Sequence, residues 1–160
     1  MNITWQLVRG KELSSAIIGY FGAGYYSHID VITPNGLLRG ARSDWIGAVP
    51  PGVHDRNQNY EVWERCTRYT VEVSPDQYAR YWAFSDKQLG KPYDTRGLFH
   101  TFVLGQPRDW RADDSWWCSE LVAANGEQAG IWKIPPEVRY VTPGDCAFLF
   151  AGKQAIIEEV

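Results

Sequence analysis

Two side chains in this 160-residue chain stand where they could do nucleophilic chemistry together: a cysteine and a histidine, Cys118 and His28. Cys118 lies in DDSWWCSELVAANGEQAG, residues 113–130. Asp113, Asp114 and Ser115 are good N-cap types and the residues after them form helix until Gly130, so Cys118 is predicted in or near a first helical turn. The unpaired N–H groups and positive dipole end found there favour a thiolate. Glu120 would oppose that, but two positions along it points about 200° round the helix. The same stretch also reads as inert packing. Leu121 and Val122 share a face with Cys118, and free cysteines are among the most buried residues.

A nucleophilic thiol needs a base. His54 falls in the polar loop GVHDRN and reads as solvated, and His100, within GLFHTFVLG, reads as a packed helix residue. His28 sits early in a strand, after GAGYYS. That strand belongs to SHIDVITPNGLLRGARS, where Asn35-Gly36 predicts a two-residue type I′ hairpin turn. Paired positions then sum to 71, which sets His28 opposite Ser43 and Asp30 opposite Ala41. A one-residue bulge would substitute Asp44 for Ser43. A cysteine hydrolase needs a third polar group to hold the imidazole. Ser43 or Asp44 is expected to supply it, with Asp30, on the same face as His28, as the remaining candidate.

The elements that must position these residues read as follows. A short helix is predicted over Glu12–Phe21. DWIGAVPPGVHDRNQN is a polar loop that could cover the site. YEVWERCT and YTVEV alternate as two neighbouring strands, and Ser74-Pro75 opens a helix that stops at Gly90, with a stripe of Tyr78, Tyr81, Trp82 and Leu89. TRGLFHTFVLG and residues 113–130 give two more helices. TPGDCAFLFAG reads as a turn into a buried strand and QAIIEEV as a last strand. The order is α+β, in one domain spanning residues 1–160.

Composition narrows the function. Net charge is -3 with no Lys/Arg cluster, so no nucleic-acid partner is expected. MNITWQLVRGKEL lacks the basic start and apolar core of a signal peptide, and no run is long enough to span a membrane; the expectation is a cytoplasmic protein. Three cysteines without a CxxC pair argue against a disulfide scaffold. Cys66 and Cys146 fall in apolar strand patterns and read as packing residues. There is no HExxH, and the three histidines are not at ligand spacing, so neither a metal nor a cofactor is expected. Eight tryptophans and nine tyrosines predict large rigid contact surfaces, in the core or along a cleft.

YSHIDVI, then GKPYD, WWCSELVA and TPGD, in that order, resemble the circularly permuted NlpC-like papain-fold family, the YiiX-type proteins. The likeness runs from roughly Leu13 to Phe150. It implies an antiparallel sheet or barrel packed against helices, with the nucleophile at a helix N-terminus. It makes Cys118 the nucleophile and His28 the base, and places Tyr93 of GKPYD near the cleft, with Trp116 and Trp117 as further cleft walls. Relatives often carry an acidic residue near the end of the second hairpin strand, just before an alanine; here that position is Gly40. Either Ser43 or Asp44 takes the role, or the triad is reduced to a dyad. The implied activity is a cysteine peptidase or amidase acting on a small peptide or amide, of the cell-wall type in NlpC-like relatives. A catalytically inactive papain-fold binding or structural protein is the alternative.

Overall fold

Ile3, Trp5 and Leu7 alternate along NITWQLVR and are all but fully buried, which makes this segment, β1 (Asn2–Arg9), a central strand. This is a computed structural model, and it describes residues 1–10, 25–102, 104–105, 111 and 114–160; the helix predicted over Glu12–Phe21 lies outside them. The remaining strands are β2 (His28–Ile32), β3 (Leu38–Arg42), β4 (Gly52–Arg56), β5 (Arg65–Glu72) and β6 (Ile156–Glu159). They form one antiparallel sheet in the order β4-β3-β2-β1-β5-β6. β4 and β6 are its edges, so the sheet is open rather than a barrel.

Four helices are described: α1 (Pro75–Asp86), α2 (Thr95–Phe102), α3 (Cys118–Ala129) and α4 (Pro143–Ala151). α1 starts where predicted, with Ser74 and Gln77 closing a capping box and Pro75 in the first turn. It ends at Asp86, before the predicted stop at Gly90, and Leu89 is exposed rather than part of a buried stripe. α3 packs against α1 and against β2 and β3. The core gathers around Trp5, which stacks on Phe150 of α4 at 4.6 Å, meets Trp132, and donates its indole N–H to the Tyr81 hydroxyl at 2.8 Å.

Several expectations are corrected. TPGDCAFLFAG is helix α4, not a strand: Thr142 caps it, Asp145 completes the box and Pro143 sits in the first turn. Cys146 is therefore a buried helical residue. YEVWERCT and YTVEV are not two strands; the single strand β5 takes the last three residues of the first, runs into the second, and pairs along its length with β1. Within the polar loop, residues 52–56 form β4, whose hydrogen bonds to β3 satisfy a backbone that a free loop would leave to water, so His54 is a strand residue.

The hairpin register also differs. Val31 faces Arg39 and Ile32 faces Leu38, a sum of 70 rather than 71. The Gly36 N–H bonds to the Thr33 carbonyl and the Thr33 N–H to the Leu37 carbonyl, so the loop has three residues, Pro34, Asn35 and Gly36. Gly36 has a φ of 77° while Asn35 is not in the positive-φ region, as a type I′ turn would require. The turn is instead a type I turn closed by a left-handed glycine. Extending this register puts Asp30 opposite Gly40 and His28 opposite Arg42.

Candidate active site

Cys118 is the first residue of α3. Its N-cap is Trp117, whose extended backbone (φ -92°, ψ 170°) ends the preceding segment, and not Asp113, Asp114 or Ser115. The indole makes no cap hydrogen bond to the helix; its N–H goes to the Val141 carbonyl at 3.2 Å. An indole can only donate, so it cannot cap the N–H groups of the first turn. The preceding segment is fixed by two bonds to GKPYD: Asp94 N–H to the Trp116 carbonyl and Trp116 N–H to the Pro92 carbonyl, both 3.1 Å. Tyr93 is thereby set beside Cys118.

His28 opens β2 and is 12% exposed. Its Nε2 hydrogen-bonds Asp30 Oδ1 at 2.9 Å, two residues along the same strand face. Cys118 lies beside the ring, near enough to act on its charge, and with Nε2 taken by Asp30 the remaining nitrogen is Nδ1. Burial alone would lower the His28 pKa, but the charge of Asp30 and the neighbouring Cys118 outweigh it and raise it to about 9. Burial would push the Asp30 carboxyl up; His28, the Tyr60 hydroxyl and the Arg56 charge hold it below the usual range.

The group that holds His28 is thus Asp30, and neither Ser43 nor Asp44. Ser43 lies past the end of β3 and is exposed. Asp44 is occupied by a two-pronged ion pair with Arg42, 2.8 Å on each side. Gly40 is what admits Asp30: a Cβ there would collide with Asp30 Oδ1 and crowd the Ile29 carbonyl. The carboxylate of one strand fills the space that a side chain on the next strand would occupy.

Two residues that sequence reasoning missed complete the acid's surroundings. Tyr60, between β4 and β5, donates to Asp30 Oδ2 at 2.8 Å. Arg56, 3% exposed, gives its N–H groups to the carbonyls of Gly40, His54 and Gly52 and acts on Asp30 by charge. No local sequence pattern marks Tyr60, since only the register of β4 and β5 brings it to β2.

A narrow slot runs beside the sulfur, lined by Tyr93, Leu98, Trp117, Ser119, Val141 and Pro143 as well as Cys118. It is mostly apolar. Trp116 does not line it; its indole N–H bonds Gln88 at 3.1 Å and its ring packs edge-on against Phe84, a structural role. Burial, with Cys118 and Glu120 nearby, pushes the Tyr93 phenol above its ordinary pKa and keeps it protonated as a donor. Glu120 is therefore not remote from the site as its helical angle suggested: it is buried and its charge is felt at Tyr93. Among the described residues no group of three or more His, Cys, Asp or Glu is gathered to hold a metal ion.

The raised His28 pKa has a consequence for stability. The unfolded histidine loses its proton near 6.5 and the folded one near 9, so the stabilisation by the His28–Asp30 pair is complete below 6.5 and is lost as pH rises to 9. Denaturant unfolding of the wild type and Asp30→Asn is expected to show the widest stability gap near pH 6. It should narrow by on the order of 2–3 kcal/mol toward pH 9.5. A gap independent of pH would show that Asp30 does not hold that proton.

No protein-family model matches the chain, and neither does any curated protein sequence. Among solved structures it is similar to the crystal structure of the metalloprotein yiiX from Escherichia coli O157:H7, DUF1105. The two share 20% sequence identity with a TM-score of 0.55, over 82% of this chain and 67% of that one. At this identity the likeness is one of fold: a mixed α+β, YiiX-like arrangement of sheet and helices. No helix among the described residues is long and apolar enough to cross a membrane.

Proposed function

We propose that the chain is a thiol hydrolase of the permuted papain-like type, in which Cys118 attacks an amide or ester carbonyl. One observation carries this reading: His28 is hydrogen-bonded to Asp30 and lies beside Cys118, and Cys118 opens a helix whose first turn lacks a side-chain cap. His28 Nδ1 takes the thiol proton and the thiolate sulfur bonds to the carbonyl carbon. The Cys118 backbone N–H meets the developing oxyanion, with the Tyr93 hydroxyl as second donor. As the tetrahedral intermediate collapses, the bond to the leaving amine or alcohol breaks and His28 returns the proton to it. Water, deprotonated by His28, then hydrolyses the thioester, releasing the acid and restoring the thiol.

The apolar lining of the slot beside the sulfur favours an uncharged acyl group, in a small peptide, amide or ester. The solved neighbour is named a metalloprotein. Since the described residues of this chain gather no ligand cluster, they do not fit a metal, and no step is routed through one. The alternative of a catalytically inactive binding protein has one observation in its favour: Cys118 is only 5% exposed and the slot is narrow.

Acyl trapping separates the two. Incubated with a short p-nitrophenyl ester, the wild type is expected to release p-nitrophenol and to carry a thioester on Cys118, located by mass spectrometry, while His28→Ala carries none. A protein that stays unacylated over a range of chain lengths would sink the hydrolase reading.

A further inference from the structure

We propose that Tyr60 is a positioning residue for this site: its hydroxyl, clamped by Arg42, fixes the second oxygen of Asp30 and so keeps the His28 ring turned with its free nitrogen toward Cys118. The inference rests on the Cys118–His28 reading and extends it to residues two shells further out. Asp30 is 1% exposed and presents two oxygens. Oδ1 is taken by His28, and Oδ2 accepts from Tyr60 at 2.8 Å. Without that donor the carboxylate would have a buried, unpaired oxygen and a free rotation about its last bond.

The donor is itself held in one sense. Arg42 Nη1 donates to the Tyr60 oxygen at 3.1 Å, which directs the hydroxyl hydrogen at Asp30. The same guanidinium lies over the Tyr60 ring at 5.1 Å, and Trp63 meets that ring edge-on at 5.2 Å. Arg42 is fixed in turn by Asp44 and by Glu61 at 2.9 Å. Asp44, expected to touch His28, instead anchors the far end of the chain of contacts. Arg56 does not do the work of Tyr60: Nη1 and Nη2 donate to backbone carbonyls, Nε is without a partner, and Asp30 receives its charge but no hydrogen bond from it.

The test reads the pH profile of Cys118 alkylation by iodoacetamide. The titratable and charged groups facing this cluster are Asp30 and His28 on β2, Arg42 on β3 with Asp44 beyond it, Arg56 on β4, Glu61 beside Tyr60, and Cys118, Glu120 and Tyr93 across the cleft. Tyr60→Phe keeps the ring and its contacts but removes the donor, so Asp30 protonates at higher pH. The acid limb of the profile is expected to move up and the plateau rate to fall about tenfold, the loss of one charge-assisted hydrogen bond. Arg42→Gln should shift both in the same direction by less, and carries the test should Tyr60→Phe fold poorly. Profiles that coincide with the wild type, with only the melting temperature lowered, would make Tyr60 a structural residue and overturn the proposal. His28→Ala, measured alongside, separates the failures: if it alkylates as fast as the wild type, the Cys118–His28 pair itself is wrong and Tyr60 falls with it.

Discussion

Iodoacetamide near pH 6 is expected to alkylate Cys118 of the native protein about a hundredfold faster than it alkylates the same thiol in His28→Ala. At that pH an ordinary thiol is ionised to well under about one per cent, and only the thiolate reacts. An imidazolium beside the sulfur favours the thiolate, a gain in the reactive species. Part of that gain is returned, because a more acidic thiol is a weaker nucleophile. The Cys118 residue is 5% exposed, which slows even a small reagent, so the comparison with His28→Ala, in the same pocket, is the informative one. The other two cysteines are internal controls. Burial pushes the Cys66 thiol up, and Cys146, fully buried, is pushed well up. Mass spectrometry should find the adduct on Cys118 alone. A Cys118 that stays unmodified until the protein is denatured, or that reacts equally without His28, would remove the basis for nucleophilic catalysis.

The fold was legible where local chemistry decided the outcome. Ser74-Pro75 opened a helix because the hydroxyl caps, the proline needs no donor and Gln77 answers the cap, all within four residues. Thr142-Pro143-Gly144-Asp145 carries the same signals, and the apolar run after it drew a strand reading only because a buried helix and a buried strand look alike over so few residues. α3 was legible although residues on every side of it are buried, because helix formers run on to Gly130, the left-handed cap that ends it. What composition could not show was pairing. β4 exists because β3 offers it a ladder, and Tyr60 and Arg56 reach Asp30 only through that arrangement.

For the candidate site, the cysteine and the histidine were legible as residue types at the starts of predictable elements. The carboxylate beside the histidine was legible only as the last of three candidates, because a shift of one in the hairpin sum exchanges every cross-strand partner. The type I′ turn suggested by Asn35-Gly36 put His28 opposite Ser43. The three-residue loop puts it opposite Arg42 by extension, and hands the acid's role to the one neighbour on its own strand face.

That exchange leads to a double substitution with a large and signed outcome. Gly40→Asp alone is expected to be severe, for two reasons: its Cβ collides with the Asp30 carboxylate, and a second buried anion is placed beside the first. Asp30→Gly alone should leave His28 without an acceptor and slow Cys118 alkylation by on the order of a hundredfold. Together the changes should rescue one another. Removing the Asp30 side chain vacates the space above Gly40, and the new carboxylate enters from β3 within reach of His28 and the Tyr60 hydroxyl. Recovery should stop short of the wild type, because a Cβ at this position still lies 3.2 Å from the Ile29 carbonyl and β2 must yield slightly. Alkylation rate and melting temperature read the cycle, and the coupling between the two sites should be strongly favourable. Additive losses in the double variant would mean that Gly40 is small for packing alone, and that the acid's position on β2 is not interchangeable with the neighbouring strand.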